Sequence, residues 1–174
     1  ERDLRRLGRE RRGVERLLAH YAATPASELC RSYAQTFDFS KPRSLHLTYH
    51  VHGDSRARGM ALLRLKQAYD AAGFDLVADE LPDFLPLMLE FAALVPKAGE
   101  ELLAQHKVSI ELVRASLDAE RSPWAPALDL VAAMLPGMTA REVAKLRRLA
   151  ASGPPTEEVG LEPFAPPEML GVGR

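Results

Sequence analysis

Three carboxylates, Asp79, Glu80 and Asp83, crowd around Pro82, and an apolar run over residues 84–95 follows with Glu90 as its only charge. Carboxylates beside apolar surface suit two kinds of chemistry. Held close together, they can share and transfer a proton. Set along the rim of a groove, they can take the Arg or Lys of a peptide whose apolar residues fill it. Asp83 and Glu90 are seven positions apart, about two helical turns or ~10 Å along the axis, which is too loose for a shared proton. Acid–base catalysis therefore has no specific support. The plainest role for these residues is capping, since a helix start favours both proline and acids. As an acidic lip, Asp79, Glu80 and Asp83 would supply charge, with Leu47, Tyr49, Leu87 and Phe91 supplying apolar area.

A second constellation is His46 and His50, four apart, with His52 and Asp54 near them. On one helical face, two imidazoles and a carboxylate could hold a metal ion. No third ligand stands at a diagnostic interval, and hydrogen bonding at the edge of a core accounts for the same histidines. There is no Gly-rich phosphate loop, no nucleophile elbow and no zinc signature of the usual form. The expectation is a protein that is not an enzyme and has no metal or other cofactor of its own.

Helices must position these groups. Leu4, Leu7, Val14, Leu17, Leu18 and Tyr21 recur at helical intervals over residues 1–21, opposite an arginine-rich face. Acids are interspersed there and no aromatic lies among the arginines, so a solvated face outweighs nucleic-acid binding. Thr24-Pro25 predicts the start of a second helix, with Thr24 as its cap and Leu29, Tyr33 and Phe37 toward the core. Residues 40–53 are ambiguous. Leu45, Leu47, Tyr49 and Val51 alternate as in a strand, yet Leu45, Thr48, Tyr49 and His52 share a helical face, and with no strand pattern to pair with the reading is helix. Asp54 is expected to cap a helix over 55–72 that ends at Gly73. The 84–95 run, apolar nearly all round, should be wrapped by other helices. One helix is expected over 99–121 and another over 124–135. The capping box Thr139-Ala140-Arg141-Glu142 should open a last helix that ends near Gly153.

Composition bounds the answer. The chain has 174 residues, 47% hydrophobic and 27% charged, with a net charge of −1. That is enough for one real core. The near-neutral balance points to neither nucleic acid nor a membrane surface. Cys30 is the only cysteine, which rules out an intrachain disulfide framework and suits a reducing, cytoplasmic setting. No apolar run is long enough to span a bilayer, and no signal-peptide pattern is present in a chain that opens on Glu1. The expected architecture is all-α, a single-domain helical bundle over residues 1–153. Residues 154–174, rich in Pro and Glu, read as a disordered or partner-dependent tail.

Two segments are less generic. Phe37-Asp38 followed by Ser44-Leu45-His46-Leu47-Thr48-Tyr49-His50-Val51-His52-Gly53-Asp54-Ser55-Arg56-Ala57-Arg58-Gly59 resembles the NarJ-type nitrate reductase delta subunit family. So does Tyr69 with Gly73-Phe74, leading into Glu80-Leu81-Pro82-Asp83 and then Leu85-Pro86-Leu87 and Leu89-Glu90-Phe91. The Glu-x-Pro-Asp element alone would point only to the wider TorD/DmsD-like group of redox-enzyme maturation chaperones. The resemblance covers roughly residues 33–95. It implies an all-helical chaperone for molybdenum cofactor assembly that binds the N-terminal signal-like segment of the apo nitrate reductase catalytic subunit and is not part of the finished enzyme. Glu80, Pro82 and Asp83 fall on the motif linked to peptide recognition, and His50, Asp54 and Arg56 lie in the segment closest to the NarJ branch. Phe84 departs from the wider group, which commonly carries His at that position. A monomer or weak dimer is expected. The alternative is a helical adaptor or scaffold that binds an amphipathic partner peptide, with no cofactor role.

Overall fold

Helices dominate because apolar side chains recur at three- and four-residue intervals along the chain. The computed structural model describes residues 2–76 and 80–155, with side chains from residue 11 onward. Among these it places nine α-helices: α1 Arg2–Ala23, α2 Ala26–Tyr33, α3 Tyr49–His52, α4 Arg56–Ala71, α5 Leu85–Leu94, α6 Pro96–Gln105, α7 Lys107–Ala119, α8 Ala125–Met134 and α9 Ala140–Ser152. A π-helical turn, Ala34–Asp38, extends α2, and a 3-10 turn covers Lys41–Arg43. The all-α, single-domain bundle expected from the sequence is what forms. Packing runs α1 on α8, α8 on α7, α7 on α9, and α5 on α6. None of the described helices is long and apolar enough to cross a membrane. The expected tail lies almost wholly outside the described residues, which end at Pro155.

The core centres on Leu47, Tyr69, Met88, Phe91, Ile110, Val113 and Leu117, all fully buried or nearly so. Aromatic rings organise its two ends. Tyr69 and Phe91 meet edge-on at 4.7 Å, with Phe74 5.4 Å from Phe91. At the other end Trp124 is buried edge-on among Tyr21, Tyr33 and Phe37, at 5.1, 5.6 and 5.5 Å. The capping box opens α9 as expected: Thr139 Oγ1 accepts from Glu142 N, and the Glu142 carboxylate accepts from Thr139 N at 2.7 Å. Gly153 closes α9 at φ +72°, a left-handed conformation that glycine adopts without a Cβ penalty.

Five local expectations are corrected. Thr24 does not cap α2; its hydroxyl donates to the His20 carbonyl at 2.7 Å and so closes α1. Ser55, not Asp54, stands at the N-cap of α4, while Asp54 pairs with Arg58 one turn on. Residues 40–53 are helical only in the 3-10 turn and in α3; between them the chain is irregular, with His46 in an isolated bridge. The expected helix over 99–121 is two helices broken at His106, whose backbone leaves helical geometry and whose Nδ1 donates to the Leu102 carbonyl. Finally, α5 is not wrapped. Leu85, Met88 and Phe91 are buried, but Leu94 is 64% exposed and Glu90 faces solvent. Leu18 and Met60, also counted among the apolar sides of their helices, are exposed.

The α5–α6 contact is unusually close because Gly99 lacks a side chain. A Cβ there would lie 2.2 Å from Ala92 Cα, a backbone atom that cannot swing aside. Gly99→Ala is therefore expected to destabilise the chain by about 1–3 kcal/mol or more through overpacking, despite alanine's better helix propensity. Urea unfolding would show it as a lower midpoint, and an unchanged or raised midpoint would refute the close approach.

Candidate functional site

The two motif segments meet through one isolated antiparallel bridge rather than through packed helices. Leu47 N donates to Asp83 O at 3.0 Å and Leu85 N to Leu45 O at 2.9 Å, which frames an isolated antiparallel bridge between His46 and Phe84. Tyr69, buried in α4, donates its hydroxyl to Pro82 O at 2.8 Å and pins the same segment from beneath. The Asp83 side chain then has no exposed surface at all. Its Oδ2 accepts from Thr48 N at 3.1 Å and from Thr48 Oγ1 at 2.5 Å. Its Oδ1 lies 3.2 Å from His46 Nδ1, and Arg58 Nη2 approaches Oδ2 at 3.9 Å. Arg58 also donates from Nε to Thr48 Oγ1 at 3.3 Å and stands 5.7 Å over the Tyr49 ring. His50 Nε2 donates to Ser44 O at 2.8 Å, which ties α3 back onto the incoming loop.

Above this clamp lies an open groove of about 590 Å³. Its apolar wall is Tyr33, Phe37, Phe39, Leu45, Tyr49 and Phe84, with Asp38, Lys41, His46 and Arg58 among the polar residues. Phe39 is 83% exposed, and the His46 and Phe84 rings stand 5.5 Å apart. Glu80 is exposed beside it, its Oε1 3.9 Å from His46 Nε2, and Asp38 and Glu80 both act electrostatically on Tyr33. An aromatic trough with carboxylates at its edge can take apolar side chains and place a cation beside them.

The profile of the family described as nitrate reductase delta subunit matches residues 6–129, most of the chain. The chain belongs to that family. It is 35% identical over 136 residues to a Bacillus subtilis protein named as a probable nitrate reductase molybdenum cofactor assembly chaperone NarJ, which covers 75% of this chain and 74% of that one. It is 39% identical over 100 residues to the Escherichia coli K12 nitrate reductase molybdenum cofactor assembly chaperone NarJ, or 57% of this chain and 42% of its relative. It is also similar, at 38% identity over 128 residues, to the Mycobacterium tuberculosis nitrate reductase-like protein NarX, where the match spans 64% of this chain and 20% of NarX. These relatives carry the names of assembly chaperones or of a reductase-like protein.

The delta-subunit motif residues divide into two groups once placed. Tyr49 lines the groove, and Glu80, Asp54 and Arg56 are exposed. Leu47, Phe91, Asp83 and His50 are buried and do not line the groove, while His50 lies with Tyr49 in a separate recess. Leu87 is half-buried on α5 and does not line the groove; Pro82 is half-buried and presents its carbonyl to Tyr69. Asp79 lies outside the described residues. The acids do not cap α5 either: its N-cap is Phe84, and no acid occupies its first turn. His46 and His50 serve the clamp and the loop, and among the described residues no group of three or more His, Cys, Asp or Glu is placed to hold a metal. Sequence reading missed Tyr33, Phe37, Phe39 and Phe84 as groove wall. The signal was present in the Phe37-Asp38-Phe39 triplet, where two aromatics two apart cannot both face one helical core.

Titration follows the clamp. Burial alone would push the Asp83 carboxyl up, but the bonds from His46 and Thr48 outweigh it and hold it below the ordinary carboxylate value. Burial pushes the His50 and His106 imidazoles down, against carbonyl bonds to Ser44 and Leu102 that favour protonation. In both cases the unfolded chain takes up protons first as the pH falls. Stability should thus weaken in two acid steps, one below about 6.5 as unfolded histidines charge and one below about 4 as unfolded Asp83 protonates, ending only below its lower folded value. Asp83→Asn, which removes the charge and leaves one carboxylate oxygen's partners facing an amide NH2, should cost about 1–3 kcal/mol at pH 7. It should also flatten the lower step and leave the upper one intact. Urea unfolding across this pH range checks both, and an unaltered lower step would show that Asp83 does not carry it.

Proposed function

We propose that this chain is an assembly chaperone for nitrate reductase. It binds the N-terminal signal-like segment of the apo catalytic subunit and holds that subunit while the molybdenum cofactor is inserted, without entering the finished enzyme. It works as a monomer or weak dimer in the cytoplasm, with no catalytic group, metal or cofactor of its own. The observation that carries the reading is that the segments matching the family fold into one place and build an aromatic groove with Glu80 and Asp38 at its edge. The names of the Bacillus and Escherichia relatives support the client.

Magnitudes assign the work. Exposed ion pairs at Glu80 and Asp38 contribute only about 0–1 kcal/mol each. A micromolar complex needs about −8 kcal/mol. Most of it must come from apolar burial against Tyr33, Phe37, Phe39, Tyr49 and Phe84, at roughly 25 cal/mol per Å² before the costs of association. The carboxylates contribute register and preference for a cation at one place in the peptide.

A helical adaptor with no cofactor role would use the same groove. Deleting the protein separates the two: a chaperone's loss leaves nitrate reductase present but without molybdenum, whereas an adaptor's loss leaves its metal content normal.

Calorimetric titration with a peptide of about 15–28 residues from the N-terminus of the catalytic subunit tests the site. Micromolar binding is expected. Replacing Glu80 and Asp38 together, as Glu80→Gln and Asp38→Asn, should weaken it about two- to thirtyfold. Phe39→Ala should weaken it about tenfold. Unchanged affinity in both variants would remove the peptide from this groove. No binding at all, with helicity intact, would place recognition elsewhere on the client.

A further inference from the structure

A second concavity of about 570 Å³ lies where α3 and the end of α9 meet. It is lined by His52 of α3, by Lys145, Arg148 and Ser152 of α9, and by Pro154 and Pro155 beyond it, and it shares no lining residue with the aromatic groove. Its charge is of one sign. Arg64 of α4 and His106, at the break between α6 and α7, act electrostatically on His52, and Arg141 and Arg148 act on Lys145. Among the described residues no ion pair or hydrogen bond engages the Lys145 ammonium or the guanidinium of Arg148 or Arg64, although the Arg148 carbonyl accepts from the Ser152 hydroxyl at 3.0 Å. Glu142, the carboxylate that acts on Lys145, is committed to Thr139 and Lys107.

A solvated basic face is the usual account of such residues, and cations in the last turn of a helix also complement its dipole. Neither fits well. None of the basic residues of α9 lies in its last turn. Basic side chains also converge from α3, α4, the α6–α7 break and α9, and His52 and Lys145 are half-buried. Burial first, then their cationic neighbours, push the imidazole and the ammonium down. The free chain thus crowds the Lys145 ammonium with Arg148 and Arg141 and disfavours protonation of His52, and a bound anion would relieve both.

We propose that this recess binds a compact, multiply charged oxyanion of the diphosphate class. Lys145 and Arg148 are three apart and share a face of α9. The Arg148 fork suits two oxygens of one phosphoryl group, and Lys145 supplies a point charge. His52 adds a ring N–H across the recess. Two fixed cations, with an imidazole beside them that a bound anion would help to charge, match a diphosphate better than a single carboxylate. The proposal goes beyond the chaperone reading and does not depend on it.

Titrating the full chain with sodium pyrophosphate at fixed ionic strength, by calorimetry and by NMR of the imidazoles, tests it. Saturable binding is expected, with the pKa values of His52 and His106 both rising. The double variant Lys145→Met, Arg148→Met should lose about tenfold or more in affinity. The exchange Lys145→Arg, Arg148→Lys, which keeps both charges but moves the fork, should fall between the parent and the double methionine variant, and Glu80→Gln should bind pyrophosphate as the parent does. Absence of saturation would overturn the proposal. So would equal binding by the double methionine variant, or equal competition from chloride.

Discussion

The buried carboxylate of Asp83 is the constraint from which the rest of the site follows. An ion taken out of water loses several kcal/mol of solvation, and only good hydrogen bonds and nearby opposite charge return it. Asp83 has no exposed surface and finds that compensation entirely in Thr48 and His46, with Arg58 just outside bonding distance. Those residues lie some 35 positions earlier in the chain. The two segments must therefore dock together or leave an uncompensated charge in the core, and this makes their pairing close to all-or-none. The bridging main-chain bonds of Leu47 and Leu85 and the Tyr69 hydroxyl on Pro82 complete the accounting. Most of the polar backbone near the crossing has a partner, as a buried crossing requires.

The same pairing decides what faces outward. In extended chain, successive side chains point to opposite sides. Leu45 and Leu47 are buried while His46 between them is half-exposed; Asp83 and Leu85 are buried while Phe84 between them is half-exposed. The clamp therefore holds His46 and Phe84 side by side on the groove wall. Tyr49 joins them as the first residue of α3, with the Arg58 guanidinium over its ring. The opposite wall has separate support, since Tyr33 and Phe37 pack edge-on against buried Trp124. A hydrophobic groove open to water is held apart only if both walls are rigid, and here each is braced by a different part of the core.

How much of this was legible depended on the range of the interactions involved. Local signals read well: the capping box at Thr139, the glycine stop at Gly153 and the helical class all rest on neighbours in sequence. Residues 40–53 were misread because the partner of the bridged stretch is three residues beside Pro82, too short to show a strand pattern. The alternation of Leu45 and Leu47 was the true signal, and the helical spacing of Tyr49 and His52 was true as well, for a different half of the segment. The acids around Pro82 looked alike in sequence. Nothing local distinguishes Glu80 in solvent from Asp83 in the core, because the difference is made by Thr48 and His46. Phe84 was noted only as a departure from the wider chaperone group, yet it supplies both the bridge and the groove wall.

That separation bears on how a recognition motif works. Glu80 and Asp83 belong to one short motif, but one carboxylate can meet a ligand and the other cannot. Loss of Glu80 removes a screened surface charge and leaves the fold alone, so its effect on binding is bounded by the small worth of an exposed pair. Loss of Asp83 unbalances a buried network, moves His46, Thr48 and Arg58, and with them the wall that carries Phe84 and Tyr49. A large effect on peptide affinity from Asp83 would thus be no sign of contact. It would be the expected result of a positioning residue, and it would come with lost stability, whereas a contact residue weakens binding in a chain that unfolds like its parent. Under the proposed function, the motif would join one residue that holds the groove open to another that reads what enters it.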